Sequence, residues 1–306
     1  MGVEFEFCLV DAKTGGFVDD SVFANTITLN DREEFLVDLC DQLEQQYIPI
    51  ELIHAESGPG QLEVVLEHSN DLLAVADNVV LARETISAVS KAHGYKALFL
   101  PKYDAGKAGN GMHVHISIQD ATTGEPLFCD GNALSPKGSS FVEGLLEHLP
   151  AILGLTMPTV NSFRRVGPGC WTGSKVGWAL EDKEVGVRVC SNLTTKEWDH
   201  VECKLVDATC NPYLGLAALL HCGLGGIERR LELRPSLSEA ENDDRSAPLP
   251  ASLEEALDAL ERDERMIQDL LGPRLSQGYL ALKRKEAQRS SEMTLEDEVR
   301  EALARS

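Results

Sequence analysis

Aromatic residues are scarce, at 6% of the 306 residues. No apolar run reaches the roughly 18 residues of a membrane-spanning helix, which excludes a helical membrane span. The eight cysteines (8, 40, 129, 170, 190, 203, 210 and 222) form no C-x-x-C pair and sit mostly in apolar runs. That pattern excludes a disulfide framework and points to a reduced, cytoplasmic chain with buried thiols. Positive charge is short: 28 Lys and Arg face 50 Asp and Glu, for a net charge of −22. The imbalance argues against nucleic acid or an anionic membrane as partner. It also means that a phosphate ligand would need metal ions or a few placed cations. No signal peptide is present, and Met1-Gly2 leads straight into an alternating strand. So abrupt a start suggests that a further segment normally precedes it. What the chain does have is a hydrophobic content of 43%, enough for a full core in one large domain or two small ones.

Gly109-Asn110-Gly111-Met112-His113-Val114-His115-Ile116-Ser117 is the most informative stretch. Its strict alternation places His113, His115 and Ser117 on one strand face and Met112, Val114 and Ile116 on the other. Other segments alternate similarly. Over 3–10, Glu4, Glu6 and Cys8 oppose Phe5, Phe7 and Leu9. After Glu56, the turn Ser57-Gly58-Pro59-Gly60 runs into a strand whose Gln61, Glu63 and Val65 share a face. Strands are also expected near 48–54, 95–100, 185–190 and 201–206. Helices are expected at 32–46 (capped by Asp31), from Asn70 to Gly94, at 141–155 with a kink at Pro150, from Asn211-Pro212 towards Arg230, at 252–271 behind a Ser252/Glu255 capping box, and after Thr294. Residues 158–182 show little periodicity and many unusual residues, the mark of a functional loop. Strands early and helices late indicate an α+β fold.

Glutamates recur on strand faces: Glu4, Glu6, Glu63 and Glu202, with Glu56 just before its turn. Glutamate is a poor strand residue unless its face is wet or binds something. Glu4 and Glu6 alone read better as a solvated face, His113 and His115 alone read equally well as a satisfied or exposed pair, and the Glu56–Glu63 stretch, with Gly-Pro-Gly fixing the path between two acids, reads less so. Gathered together they would repel, and divalent cations would relieve that. Oxygen-rich ligand sets with one imidazole suit Mg²⁺ or Mn²⁺. Such ions, with Arg164, Arg165, Lys183 and Arg188 as available cations, are what phosphoryl transfer from ATP requires. Spacing alone does not establish that these residues converge.

Taken in order, these motifs resemble the catalytic domain of the glutamine synthetase family. Gly2-Val3-Glu4-Phe5-Glu6-Phe7 is similar to its first metal-binding strand, and Glu56 through Gly60-Gln61-Leu62-Glu63 to its E-x-x-x-G-Q-x-E stretch. Gly111 to Ser117 is similar to G-x-H-x-H-x-S, and Asn161-Ser162-Phe163-Arg164-Arg165 with Pro168-Gly169 to N-S-x-x-R-x-x-P-G. Glu202-x-Lys204-x-x-Asp207 before Asn211-Pro212-Tyr213-Leu214 is similar to its closing motif. The resemblance implies one domain over 1–306, a mainly antiparallel sheet packed with helices, and ATP and two or more Mg²⁺ or Mn²⁺ ions. It implies that Glu6, Glu56 and Glu63 hold one ion and Glu4, His113 and Glu202 the other. His115 would contact the γ-phosphate, with Ser117, Lys183 and Arg188 in the nucleotide site. Gly109, Arg165 and Lys204 would meet glutamate or an analogue, whose side-chain carboxylate is phosphorylated and then attacked by ammonia or an amine.

Departures from the family pattern are Ala108 for its usual asparagine, Trp171 for the flap glutamate, Lys204 for a second substrate arginine, and a basic cluster thinned to Lys196 and His200. Arginine and lysine grip a carboxylate differently. These features resemble a divergent branch near fungal FluG and plant nodulin-type glutamine synthetase-like proteins. The resemblance also implies a small N-terminal β-grasp domain, absent here, supplied upstream or in trans, and a homo-oligomer. The alternative reading is a non-catalytic descendant with a structural or signalling role that still binds metal and ATP. Trp178 and Trp198 are expected to be packing residues.

Overall fold

The computed structural model describes residues 1–20, 23–239 and 245–305. Strand alternation sets the architecture. One mixed sheet runs β2 (Ile50–Ala55), β3 (Gln61–Leu66), β1 (Gly2–Asp11), β5 (Met112–Ile116), β8 (Trp198–Cys203), β7 (Val187–Ser191), β6 (Trp178–Leu180). The short β4 (Tyr95–Leu98) pairs with the C-terminal half of β1, beside β5 on its N-terminal half. Every pairing is antiparallel except β6 with β7. Elements with sheet and helices interleaved over one core make the fold α+β, as expected.

The apolar side of each strand faces that core. Phe5 and Phe7 of β1, Val64 of β3, Val114 of β5, Val187 of β7 and Val201 of β8 are all fully buried. Three long helices supply much of the opposing layer: α3 (Leu72–Ala92), α4 (Pro136–Thr156) and α5 (Pro212–Arg229). α4 and α5 cross at Gly144 and Gly226, where a Cβ on Gly226 would lie 2.0 Å from the Ser140 carbonyl oxygen. Only glycine permits that approach.

Helix starts depend on which side chain reaches a free backbone N–H. α3 is capped by Asp71, which accepts from the Ala74 N–H, rather than by Asn70. Asp31 closes the short α1 (Thr26–Asn30) instead of opening α2 (Glu33–Gln45). Ser135 accepts from the Gly138 N–H and starts α4 before the expected 141, and Pro150 lies inside the helix without ending it. Asn211 accepts from Tyr213 and Leu214 at the head of α5, as expected. Ser252 and Glu255 cap α6 (Leu253–Arg262), yet the helix stops at Asp263. Asp263 turns extended and spends its carboxylate on His148 Nδ1 (2.6 Å) and the Met266 N–H (3.1 Å). A π-helical turn (Arg265–Leu271) and an unexpected α7 (Gly272–Ser290) follow, then α8 (Leu295–Arg305) behind a reciprocal Thr294/Asp297 box.

Five cysteines are buried, and all eight are free. Trp178 is buried and donates to the Arg234 carbonyl, and it meets Trp198 edge-on at 6.3 Å, so both are packing residues as expected. No described helix is long and apolar enough to cross a membrane.

Candidate functional site

Register carries the polar faces into rows across the sheet. His54 of β2 lies opposite Glu63 of β3, and Glu63 opposite Glu6 of β1. Glu4 of β1 lies opposite His113 of β5. His115 lies opposite Glu202 of β8, and Glu202 opposite Arg188 of β7. All of the metal-ligand candidates therefore meet on one patch. His113 Nδ1 is 3.9 Å from Glu4 and 3.4 Å from Glu202, and its Nε2 is 3.7 Å from Glu6.

Ligand atoms fall together in groups that differ from the implied division. Among the described residues, Glu4, Glu63 and His113 form one cluster, Glu4, His115 and Glu202 a second, and His54, Glu56 and Glu63 a third. Glu6 joins none of these. It accepts from Gln61 Nε2 (3.0 Å) and the Gly111 N–H (2.9 Å), which hold it at the edge of the patch. Glu56 accepts from the Ser57 N–H. Glu4 sits centrally and also accepts from His115 Nε2.

Burial and crowding set the protonation states. Burial first, then the charge of Glu4, pushes Glu63 up to about 11. Burial and the charge of Glu56 raise Glu6 to about 7. Burial also acts against ionised Glu4, but the hydrogen bond from His115 leads the groups that outweigh it and hold Glu4 below the usual range. Glu4 and Glu63 thus keep one proton between them, on Glu63. Burial, with Lys204 nearby, lowers His113 to about 3, so it stays a neutral imidazole with a lone pair for a cation. Burial opposes ionised Glu202 too, yet the cations around it lower its pKa. A buried, electron-rich patch of this kind fits hard divalent cations.

Two cavities flank the patch. The larger, about 600 Å³, is lined by Glu4, His115, Ser117, Arg188, Asp199 and His200 among others. The smaller, about 380 Å³, is lined by Glu6, Glu56, His113, Gly109, Arg165 and Lys204 among others. Their linings come within 3.9 Å of one another, at Glu4 of the larger and His113 of the smaller.

Arg165 is buried at the end of a 3₁₀ turn (Asn161–Arg165) and donates to the carbonyls of Lys204 and Val206 at 2.9 Å each. Lys204 Nζ lies 3.5 Å from Glu202. Gly109 packs so tightly that a Cβ would lie 2.3 Å from the Pro101 carbonyl oxygen.

Two expected cations are engaged elsewhere. Lys183 is not among the residues lining the larger cavity. Its ammonium sits 4.9 Å from the Trp171 ring and 5.6 Å from that of Phe23, because both aromatic faces attract it. Arg164 is bound by Glu298 of α8 (2.9 and 3.0 Å).

Glu298 also accepts from Asn161 Nδ2 (2.7 Å), and Asn161 brackets the backbone of Lys102, donating to its carbonyl and accepting from its N–H. One buried carboxylate on the last helix thereby fixes both the turn that ends in Arg165 and the segment carrying Lys102, another residue lining the smaller cavity. Glu298→Gln keeps the shape but loses the charge-assisted grip. We expect the variant to lose about 1.5 kcal/mol of stability, the worth of a hydrogen bond to a charged group. Urea unfolding of the two proteins checks this, and equal midpoints would refute it.

One neighbour was missed in the sequence, and another was noted there only as the remnant of a basic cluster. His54 Nε2 is 2.9 Å from Glu63. Its signal was available: a four-residue turn closing Glu56 against Gln61 places His54 opposite Glu63. His200, the one noted, touches His115, and its signal was its place two residues before Glu202 on the same strand face.

The glutamine synthetase catalytic-domain model matches residues 1–302. Type-1 glutamine synthetase 1 of Dictyostelium discoideum is 31% identical over 292 residues, 94% of this chain and 58% of that protein. Glutamine synthetase of Methanocaldococcus jannaschii is 35% identical over 280 residues, 88% of this chain and 60% of that protein. The chain thus spans under two thirds of the length of these relatives. Among solved structures, a novel glutamine synthase homolog superposes with a TM-score of 0.85 at 31% identity, covering 99% of this chain and 70% of that one. GmaS in complex with ADP superposes with a TM-score of 0.81 at 28% identity, covering 96% and 70%.

Proposed function

Since this chain belongs to the glutamine synthetase family through its catalytic domain, we propose that it is the catalytic part of an ATP-dependent ligase. In this reading it phosphorylates the side-chain carboxylate of glutamate or an analogue and forms an amide with ammonia or an amine. The observation that carries the proposal is that two cavities flank one buried carboxylate row, one lined by Glu4 and the other by His113, 3.9 Å apart. ATP in the larger cavity would present its terminal phosphate to that row, and an acceptor carboxylate in the smaller cavity would face it from the other side. Opposed approach of this kind is what in-line phosphoryl transfer requires. GmaS, superposed above, is a relative solved with ADP.

The proposed roles follow from position. Glu4, Glu6, Glu56, Glu63, His113 and Glu202 would hold magnesium or manganese ions, which would supply neutralisation of the transferring phosphate and of the carboxylates themselves. His115 and Arg188, both lining the larger cavity, orient the phosphate end, and Ser117 lies beside the nucleotide. Arg165 presents a guanidinium held rigid by two carbonyls, suited to an acceptor carboxylate. Lys204 adds a point charge and Gly109 admits the acceptor close to the backbone. Chemistry then proceeds by attack of the acceptor carboxylate on the terminal phosphorus, release of ADP, and displacement of phosphate by the amine.

A second reading, nucleotide binding without turnover, draws on Trp171. It is exposed at a positive φ of 57° beside the smaller cavity, where an acidic residue would favour ammonium. ADP release measured with Mg²⁺, glutamate, ammonia and a panel of amines separates the two. We expect release that requires both metal and acceptor. Calorimetric binding of MgATP with no turnover across the panel would favour the second reading, and metal-independent release would refute the ion assignment.

A further inference from the structure

One row beyond Glu202 and Arg188, the sheet places His200 of β8 directly opposite Cys190 of β7. His200 also reaches across to β5, where its Nε2 lies 2.8 Å from His115 Nδ1, with the ring centroids 5.0 Å apart. The outer nitrogens of both rings are committed. His115 Nε2 meets the Glu4 carboxylate, and His200 Nδ1 meets Asp199 at 3.0 Å. Ionised carboxylates only accept, so each ring carries its proton on the outer nitrogen. The two inner nitrogens then face one another with lone pairs, an arrangement that repels unless a proton or a cation lies between them. Cys190 Sγ completes the group: one ligand atom from each of His115, His200 and Cys190 lies within 4.8 Å of the others.

We propose that His115, His200 and Cys190 form a binding site for a soft divalent cation, zinc above all, next to the hard-ion carboxylate patch and sharing His115 with it. Two imidazoles and a thiolate are ligands that magnesium avoids and zinc prefers. Tetrahedral zinc with bonds of about 2.0–2.1 Å spaces its nitrogens about 3.4 Å apart, so the rings need to part by about half an ångström. Each imidazole already has the outer carboxylate that orients and strengthens a zinc-bound histidine. As the metal–sulfur bond forms, the Cys190 proton leaves to solvent. The fourth position opens to the 600 Å³ cavity, which His115 and His200 both line. The site stands on this geometry alone. Its consequence, that zinc and nucleotide exclude each other by competing for His115, rests on the function proposed above.

Cobalt(II) is the probe, added to the full chain under reducing conditions with Mg²⁺ in excess to fill the carboxylate patch. We expect one equivalent to bind with a thiolate-to-cobalt charge-transfer band, which zinc abolishes. Cys190→Ser should remove the band, and His200→Asn should weaken binding at least tenfold. Asp199→Asn, which touches only the outer support, should weaken it about 10–100-fold. A wild-type spectrum without the thiolate band, or a band that survives Cys190→Ser, overturns the proposal. Should Cys190→Ser fail to fold, undiminished cobalt affinity in His200→Asn overturns it equally. ATP should raise the apparent Kd for cobalt. If cobalt binds as expected and ATP has no effect, the metal site stands and the placement of nucleotide in this cavity falls.

Discussion

Glu202→Gln is expected to cut metal-dependent ADP release by about 10²–10³-fold, the scale seen when one preorganised charge is removed from a transferring group. The reason lies in how many groups converge on this carboxylate. Only 1% exposed, it is bonded by Arg188 Nε and lies 3.4 Å from His113 and 3.5 Å from Lys204. Glutamine retains the volume and one oxygen acceptor but not the charge, so a cation in the patch loses a ligand while Arg188 keeps a partner. Alanine would be a poorer test. It would leave Arg188 and Lys204 uncompensated, and orphaning a buried charge costs about 3–5 kcal/mol of stability. Single-turnover measurement of ADP, with circular dichroism to confirm the fold, decides the matter. A Glu202→Gln variant with wild-type turnover would remove the carboxylate patch from the chemistry.

Added Mn²⁺ is expected to raise the melting temperature much more at pH 8 than at pH 5.5. The direction follows from the raised pKa values. Glu6 is pushed to about 7 and Glu63 to about 11 from an ordinary value of 4.5. A carboxyl whose folded pKa is raised stabilises the fold fully below its ordinary value, and that stability is lost as pH rises through the folded value. Between pH 5.5 and 8 the metal-free protein therefore loses the rest of the contribution of Glu6, and that of Glu63 falls through the whole window and continues to fall above it. His115, also raised, acts in the same direction. Glu4 and Glu202 are lowered, so their contribution is lost only on acidification below the ordinary value and does not change across this window. A bound divalent cation reverses the trend because it favours the ionised forms. Each site filled at about 100 times its Kd adds about 2.7 kcal/mol. Glu6→Gln should make the metal-free profile shallower over this range, with the slope that remains set by Glu63. Equal Mn²⁺ shifts at the two pH values, or an unchanged profile in Glu6→Gln, would show that the patch does not bind cations as the charges require.

Local pattern was enough for the strand faces and for the motif order. Side-chain direction alternates with a fixed period of two along a strand, so Glu4, Glu6, Glu63, His113, His115 and Glu202 could be assigned to polar faces one strand at a time. The head of α5 was equally legible, because Asn211 and Pro212 act on backbone groups within three residues. Other boundaries were not. Asp71 rather than Asn70 caps α3, and Asp263 stops α6 because His148, 115 residues away in sequence, draws its carboxylate. The same limit applied at the site. Which carboxylates share a cluster depends on strand register, and Glu6, opposite Glu63, has one oxygen taken up by Gln61 and the Gly111 N–H. Lys183 stacks between aromatic rings and Arg164 is paired with Glu298, 134 residues distant in sequence. By itself the sequence determined what chemistry the sheet could display: carboxylates and imidazoles on one face, a core on the other. Only the tertiary structure decided which of those groups face each other, because hydrogen bonds and ion pairs form over about 3–4 Å in space whatever their separation along the chain.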